Sequence, residues 1–119
     1  MQATSIMTAD GTSVARFTRI ASSFRSRLVG LLRRKNLHRE EGLLISPGGS
    51  IHTWGMRFPI DAVFLDEDFR VLKVTHSLRP WRGSLAPRRT RHVLELRAGR
   101  SAELRLRVGM TLVARTAGR

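Results

Sequence analysis

The sequence of 119 residues contains no cysteine. The chain therefore has no disulfide framework, no cysteine-ligated zinc and no thiol nucleophile. No segment approaches the roughly 20 consecutive apolar residues of a membrane span. The first residues also lack the basic start and continuous apolar core of a signal peptide. From these absences we expect a soluble, cytoplasmic protein.

Acidic residues are scarce, because 9 Asp and Glu stand against 22 Lys and Arg, which gives a formal net charge of +13. Such an excess suggests nucleic acid, an anionic membrane surface or an acidic partner. Nearly all of the basic residues are arginine, which is also what a GC-rich genome produces. The arginines are dispersed along the chain, and charge alone supports only non-specific binding. Nucleic-acid binding is therefore the alternative interpretation and not the leading one.

The length suits a single domain with its own core. Short apolar stretches separated by Gly, Pro and Asp indicate six to eight strands and one or two short helices. The sequence therefore predicts a mainly β protein, either a compact β-sandwich or a small barrel-like fold. We expect a flexible leader over residues 1–11, one β-rich domain over 12–115 and a flexible tail over 116–119.

Three local patterns carry most of this prediction. Apolar residues occupy both faces of the segment 60–65, as in a strand covered on both sides, and the acidic turn 66–69 makes it one arm of a hairpin. Apolar side chains at helical spacing predict an amphipathic helix over 24–35. Ser101 is placed to cap a helical turn that continues through Leu106.

The candidate binding residues lie in two segments. HTWGMRFPIDAVFLD begins at His52 and is the densest apolar and aromatic run in the chain, and the loop 77–91 contains five arginines and no acid. A tryptophan beside arginines can stack a base, a sugar or a peptide, or it can fix its loop to the sheet. The candidates are His52, Trp54, Arg57, Asp61, Arg79, Trp81, Arg82 and Arg88.

Metal and acid–base chemistry are the other interpretations of these segments. His52, His76 and His92 with Asp61 match no metal-ligand spacing, so we expect no metal and no cofactor. Asp61 is either a general base or a structural acceptor. In the structural case it binds backbone N–H groups at the bend before its strand, or it pairs with Arg57 or His52.

The order of motifs resembles the bacterial and archaeal family called Domain of Unknown Function 192. Four elements carry the resemblance: Arg27 with GLLR from Gly30, GLL from Gly42, HTWGMRFPIDAVFLD, and VLELRAG from Val93 followed by a short helix. The resemblance covers roughly residues 12–115 and implies a compact β-sandwich-like fold without a known reaction. It implies no catalytic residue.

Three positions depart from the family pattern. Relatives usually have glycine where this hairpin turn has Phe69, so the turn has a different shape or Phe69 bears strain. Relatives often close the C-terminal helix with glycine, where this chain has Arg105. Some relatives carry a cysteine just before the HTW motif, where this chain has Gly48 and Gly49.

The sequence favours a non-catalytic binding or protein-interaction module for an anionic ligand or an acidic partner. Its surface would combine the HTWGM segment with the loop 79–91, provided that the two adjoin. Nucleic-acid binding through the arginines is the alternative. A hydrolase-like enzyme that uses His52 and Asp61 is a third hypothesis, and it requires their side chains to converge in an open cleft.

Overall fold

The computed structural model describes residues 4–22 and 35–116. No helix in these two ranges has the length and apolar composition needed to cross a membrane. The helix predicted over 24–35 lies outside the described residues except for its last position. Within the described ranges the elements are β1 (Thr4–Thr8), β2 (Ser13–Ala21), β3 (Glu41–Ile45), β4 (Ile51–His52), β5 (Ile60–Leu65), β6 (Val71–Leu78), β7 (Gly83–Ser84), β8 (His92–Arg97), the short helix α1 (Arg100–Glu103) and β9 (Leu112–Thr116).

Seven strands form one curled mixed sheet in the order β6-β5-β8-β3-β2-β1-β9, and β4 and β7 form a second, two-stranded sheet. Neighbouring strands are antiparallel except for β2 and β3, which run parallel with Phe17 opposite Glu41. The prediction of a mainly β protein is confirmed. Of the two predicted forms, β-sandwich and small barrel, the curled sheet corresponds to the barrel, because it forms a half-barrel.

The two outermost strands of the large sheet, β6 and β9, approach each other at one end. Arg70 and Thr111 form an antiparallel bridge there. Next to it, the N–H of Val71 donates to the carbonyl of Met110 over 2.7 Å. The sheet therefore curls far enough for backbone hydrogen bonds to form where its first and last strands begin.

Each face of the large sheet carries its own apolar core. All six residues of β5 are buried, so this strand contributes to both cores, as its two-sided apolar pattern predicts. The first core contains Ile6, Val14, Leu44, Val63, Leu65, Val71, Leu94, Leu96, Leu106 and Leu112. The second core contains Leu43, Ile45, Ile51, Met56, Phe58, Ile60, Ala62, Phe64, Leu78 and Val93.

The predicted hairpin is formed by β5 and β6. The Asp66 carboxylate closes its turn by accepting the N–H groups of Asp68 at 2.8 Å and Arg70 at 2.9 Å. Phe69 has φ 64°, a left-handed conformation that costs a non-glycine residue roughly 1–2 kcal/mol. Its ring lies 4.6 Å from the ring of His92. Phe69 therefore adopts the left-handed backbone itself, and its ring contact offsets part of that cost.

The first residues differ from the predicted leader. Residues Thr4–Thr8 form β1, which pairs with both β2 and β9. Thr4, Ile6 and Thr8 are buried in strict alternation. Two of these three inward positions are polar, so the sequence carried little apolar signal for a strand. The sheet therefore includes residues from Thr4 onward, ahead of the start at residue 12 that the sequence suggested.

A buried arginine joins α1 to β2 and to the turn before β3. The Arg100 side chain is 3% exposed. Its guanidinium donates to the carbonyls of Val14 at 3.1 Å and Ser13 at 3.0 Å. It also forms ion pairs with Glu40 at 3.2 Å and with Glu103 at 2.5 Å. Because a buried cation is tolerated only with such partners, α1 is fixed against β2.

The hydrogen bonds and charges around Glu40 make the fold sensitive to acid. Burial alone would raise the pKa of Glu40, but hydrogen bonds from the Ser13 hydroxyl and the Arg16 N–H, together with the charge of Arg100, hold that pKa below its ordinary value. A lowered folded-state pKa means that the ionised carboxylate contributes stability at neutral pH. That contribution is lost as the pH falls through the folded-state pKa.

We therefore expect the Tm to fall once the pH drops below about 4.3, and to fall less steeply in Glu40→Gln. The variant starts from a lower Tm at neutral pH because one of the two charged partners of Arg100 is gone. Thermal denaturation followed by circular dichroism between neutral and acidic pH measures both effects. Glu67→Gln, in an exposed turn, is the control and should follow the wild-type curve. An unchanged acid slope in Glu40→Gln would contradict the assignment.

Helix α1 is flanked on each side by a residue with left-handed backbone. Gly99 is its N-cap with φ 93°, and no side chain caps the first turn. The predicted cap at Ser101 is therefore wrong, since this residue lies inside the helix. Arg105 follows the helix with φ 56° and donates its N–H to Ala102. Arg105 thus occupies the position where glycine commonly ends a helix.

We expect Arg105→Gly to stabilise the protein by about 0.5–1 kcal/mol, because relief of the left-handed strain exceeds the entropy cost of glycine. The corresponding rise in Tm is roughly 3 °C. Arg105→Ala removes the same charge but keeps the Cβ, so its Tm should stay near that of the wild type. An equal gain in both variants would attribute the effect to charge and not to the backbone.

Candidate binding site

Hydrogen bonds to Thr53 join the HTWGM segment to the arginine-rich loop 77–91. Thr53 follows β4 directly and is fully buried. Its backbone N–H donates to the carbonyl of Arg82 at 2.8 Å, and its carbonyl accepts the N–H of Trp81 at 3.1 Å. Its hydroxyl donates to the carbonyl of Arg79 at 2.5 Å and accepts the N–H of Arg82 at 3.0 Å. The HTWGM segment and the arginine-rich loop therefore adjoin.

We call the exposed residues that these two loops contribute the two-loop surface: Trp54, Arg57, Arg79, Trp81, Arg82 and Leu85. Trp54 is 57% exposed, Trp81 63% and Leu85 78%. All three arginines are exposed as well. Neither 51–60 nor 77–91 contains an acidic residue. The patch therefore combines apolar and cationic groups without an internal counter-charge.

The backbone around the two tryptophans is specifically shaped. Trp81 has φ 65°, a left-handed backbone conformation that costs a non-glycine residue roughly 1–2 kcal/mol. The His52 ring lies 4.5 Å from the Trp54 ring. The N–H of Trp54 donates to His52 Nδ1 over 3.4 Å. His52 thus supports the Trp54 side of the surface from a half-buried position.

Asp61 does not belong to this surface. It is 0% exposed in β5, and its carboxylate accepts backbone N–H groups from Ser77 at 2.8 Å, Gly99 at 3.1 Å and Ser101 at 2.9 Å. The Ser101 hydroxyl donates to the same carboxylate over 2.5 Å. The donors come from β6 and from the turn into α1, not from the bend that precedes β5.

The remaining candidates are dispersed. Arg88 is exposed in a turn after the two-loop surface.

Among residues 4–22 and 35–116, no three His, Asp or Glu side chains group in a way that could hold a metal ion. His92 contacts the Ser46 hydroxyl at 2.8 Å. Burial and the charge of Arg91 lower the pKa of His92, partly opposed by Asp66.

Two residues of functional interest carried no sequence signal. Thr53 lies between a histidine and a tryptophan, and its role depends on carbonyls far along the chain. Leu85 is an isolated apolar residue in a polar loop, and such a residue is as often buried as exposed. The pairing of β4 with β7 brings the segments that carry these two residues together.

Comparison with known proteins places the chain in a family. The model of DUF192, described as an uncharacterized ACR, matches residues 5–114, and the chain belongs to that family of uncharacterised β-rich proteins. It is 40% identical over 82 residues to UPF0127 protein PH1112 of Pyrococcus horikoshii, covering 65% of this chain and 69% of that protein. The resemblance inferred from the motifs is confirmed.

Solved structures share the fold. A Novosphingobium aromaticivorans protein of unknown function superposes with a TM-score of 0.78 at 24% identity, covering 92% of this chain and 82% of that one. A Sinorhizobium meliloti protein whose proposed role is transcription regulation gives a TM-score of 0.77 at 21% identity, covering 95% and 92%. At these identities the likeness concerns the fold alone.

We expect Thr53→Val to loosen the two-loop surface, because valine keeps the shape but removes the hydroxyl shared by Arg79 and Arg82. Leaving a buried partner unsatisfied costs about 1–3 kcal/mol. The Tm should fall, and amide exchange at Trp81 and Arg82 should accelerate more than in the strands. Thr111→Val, at an exposed position, is the control. Exchange accelerated equally throughout the protein would contradict a local role for Thr53.

Proposed function

We propose that the protein is a non-catalytic binding module whose two-loop surface holds an acidic segment of a partner protein. The observation that carries the proposal is the exposure of Trp54 and Trp81 on loops that Thr53 joins through hydrogen bonds. Exposed tryptophans on a fixed backbone lose little conformational entropy when they bind, and tryptophan and arginine are the residues most enriched at binding hot spots.

The chemistry of the surface selects a partner that is both anionic and partly apolar. Arg57, Arg79 and Arg82 supply forked donors that match carboxylates, and the indole rings and Leu85 supply apolar contact area. Because no acid lies within either loop, an incoming carboxylate meets no repulsion from these segments. A short peptide that alternates acidic and aromatic or aliphatic residues fits both requirements.

A nucleic acid is the less favoured partner. The affinity of a protein for DNA depends largely on phosphate contacts, of which there can be about six to ten, whereas the two-loop surface offers three arginines. The hydrolase hypothesis finds no support in the geometry, because Asp61 is fully buried and its oxygens accept four hydrogen bonds. His52 lies in the separate β4–β7 sheet. The open cleft that this hypothesis requires is not formed by these two residues.

The test measures binding of a short fluorescent peptide composed of Asp, Glu and Phe. We expect Trp81→Ala and Arg82→Ala each to weaken binding at least tenfold, a loss of about 1.4 kcal/mol, while the Tm changes little. Arg107→Ala removes one exposed arginine elsewhere and is the matched control for charge. Trp81→Phe keeps an aromatic face and should retain part of the affinity.

Three outcomes would overturn the proposal. The first is equal weakening by Arg107→Ala, which would attribute binding to net charge alone. The second is a parallel loss of folding in Trp81→Ala, which would make the ring structural. The third is that single-stranded oligonucleotides bind more tightly than the acidic peptide and with a steep salt dependence. Nucleic acid would then be the partner in place of an acidic protein segment.

A further inference from the structure

A second group of polar side chains lies apart from the two-loop surface, between β5, β6 and α1. The Ser101 hydroxyl stands 2.5 Å from the Asp61 carboxylate and 3.1 Å from Nδ1 of His76. Asp61 and Ser101 are 0% exposed, whereas His76 is exposed. The three residues thus form a hydrogen-bonded chain from a buried carboxylate to the surface.

A bulge in β6 creates this arrangement. Between register partners Ile60–Leu78 and Ala62–Thr75, the two residues His76 and Ser77 of β6 stand opposite Asp61 alone. Ser77 has φ 48° and directs its N–H to Asp61. Bulges of this kind re-aim side chains and are frequent beside functional sites. Here the extra residue lets the His76 ring reach Ser101.

The donors fix the direction of every hydrogen bond in the chain. Three backbone N–H groups can only donate, and they donate to both oxygens of Asp61. These oxygens therefore act as acceptors, and the Ser101 hydroxyl gives its single proton to Asp61. The lone pairs of the Ser101 oxygen then face His76 Nδ1. The Nδ1 atom must carry a proton in order to complete the chain.

We propose that His76 is the hydrogen-bond acceptor of a second ligand site, held as the Nδ1–H tautomer by the positioning residues Ser101 and Asp61. In this tautomer Nε2 carries the lone pair and can accept a hydrogen bond from a ligand. The ligand class is one that presents an O–H donor to Nε2, as phosphate does near neutral pH. The arrangement does not make Ser101 a nucleophile, because its proton is committed to Asp61.

The first test is the tautomer of each histidine in the spectrum of the 15N-histidine-labelled protein in mildly alkaline buffer. His76 is expected as Nδ1–H. His38 and His52 are internal controls, because their Nδ1 atoms accept the N–H groups of Glu40 and Trp54 and they must be Nε2–H. Wild-type His76 found in the Nε2–H form would overturn the proposal without any variant.

Variants then test the positioning residue. Ser101→Ala removes the acceptor and should shift His76 toward the Nε2–H form, whereas Ser101→Thr keeps the hydroxyl and should restore the Nδ1–H form. A merely structural serine would leave the tautomer unchanged in both variants. An unchanged tautomer in a folded Ser101→Ala protein would therefore overturn the assignment of Ser101.

The ligand class is tested with two inorganic anions. Phosphate is expected to shift the Nε2 resonance of His76 saturably, and sulfate, which offers no proton, should have a several-fold smaller effect. Ser101→Ala should abolish the difference between them. Equal shifts with both anions, or no saturable shift with phosphate, would overturn the proposed ligand class. Trp81→Ala should leave these shifts unchanged, so failure of the peptide-binding proposal is recognised separately.

Discussion

The buried carboxylate of Asp61 is the interaction on which much of the molecule's geometry depends. It lies in the fully buried strand β5 and binds donors from β6 and from the turn into α1. A buried charge is costly unless it is hydrogen-bonded, and each backbone N–H left unsatisfied would cost about 1–3 kcal/mol. The carboxylate and its donors therefore require one another, and together they set where β6 bulges and where α1 begins.

The sequence predicted elements whose burial follows a short-range pattern. The β5–β6 hairpin has apolar residues on both faces of one strand and an acidic turn, and both features are local. β1 was not predicted, because two of its three inward positions, Thr4 and Thr8, are threonines and so give no apolar alternation. The choice between sandwich and barrel could not be made from the sequence, because it depends on which strands become neighbours across the curl.

The candidate site was predictable only in part for the same reason. Tryptophans beside arginines in two segments are visible in the sequence, but their adjacency depends on hydrogen bonds between Thr53 and residues more than 25 positions away. Ser101 shows the limit most clearly. Its position before Glu103 is typical of a helix cap, yet its hydroxyl joins Asp61 to His76. A local capping rule could not anticipate an acceptor 40 positions away.

The contact between β6 and β9 has a consequence for behaviour in concentrated solution. An open sheet exposes rows of unpaired backbone groups along its outer strands, and such rows template the stacking of one molecule on another. Here the N–H of Leu112, at the start of β9, is already bonded to the carbonyl of Phe69. Farther along β9, Arg115 places a positive charge on the strand. The curl satisfies backbone groups at this end of the strand, and the charge of Arg115 disfavours pairing with a second molecule. Both features oppose self-association through the sheet edge.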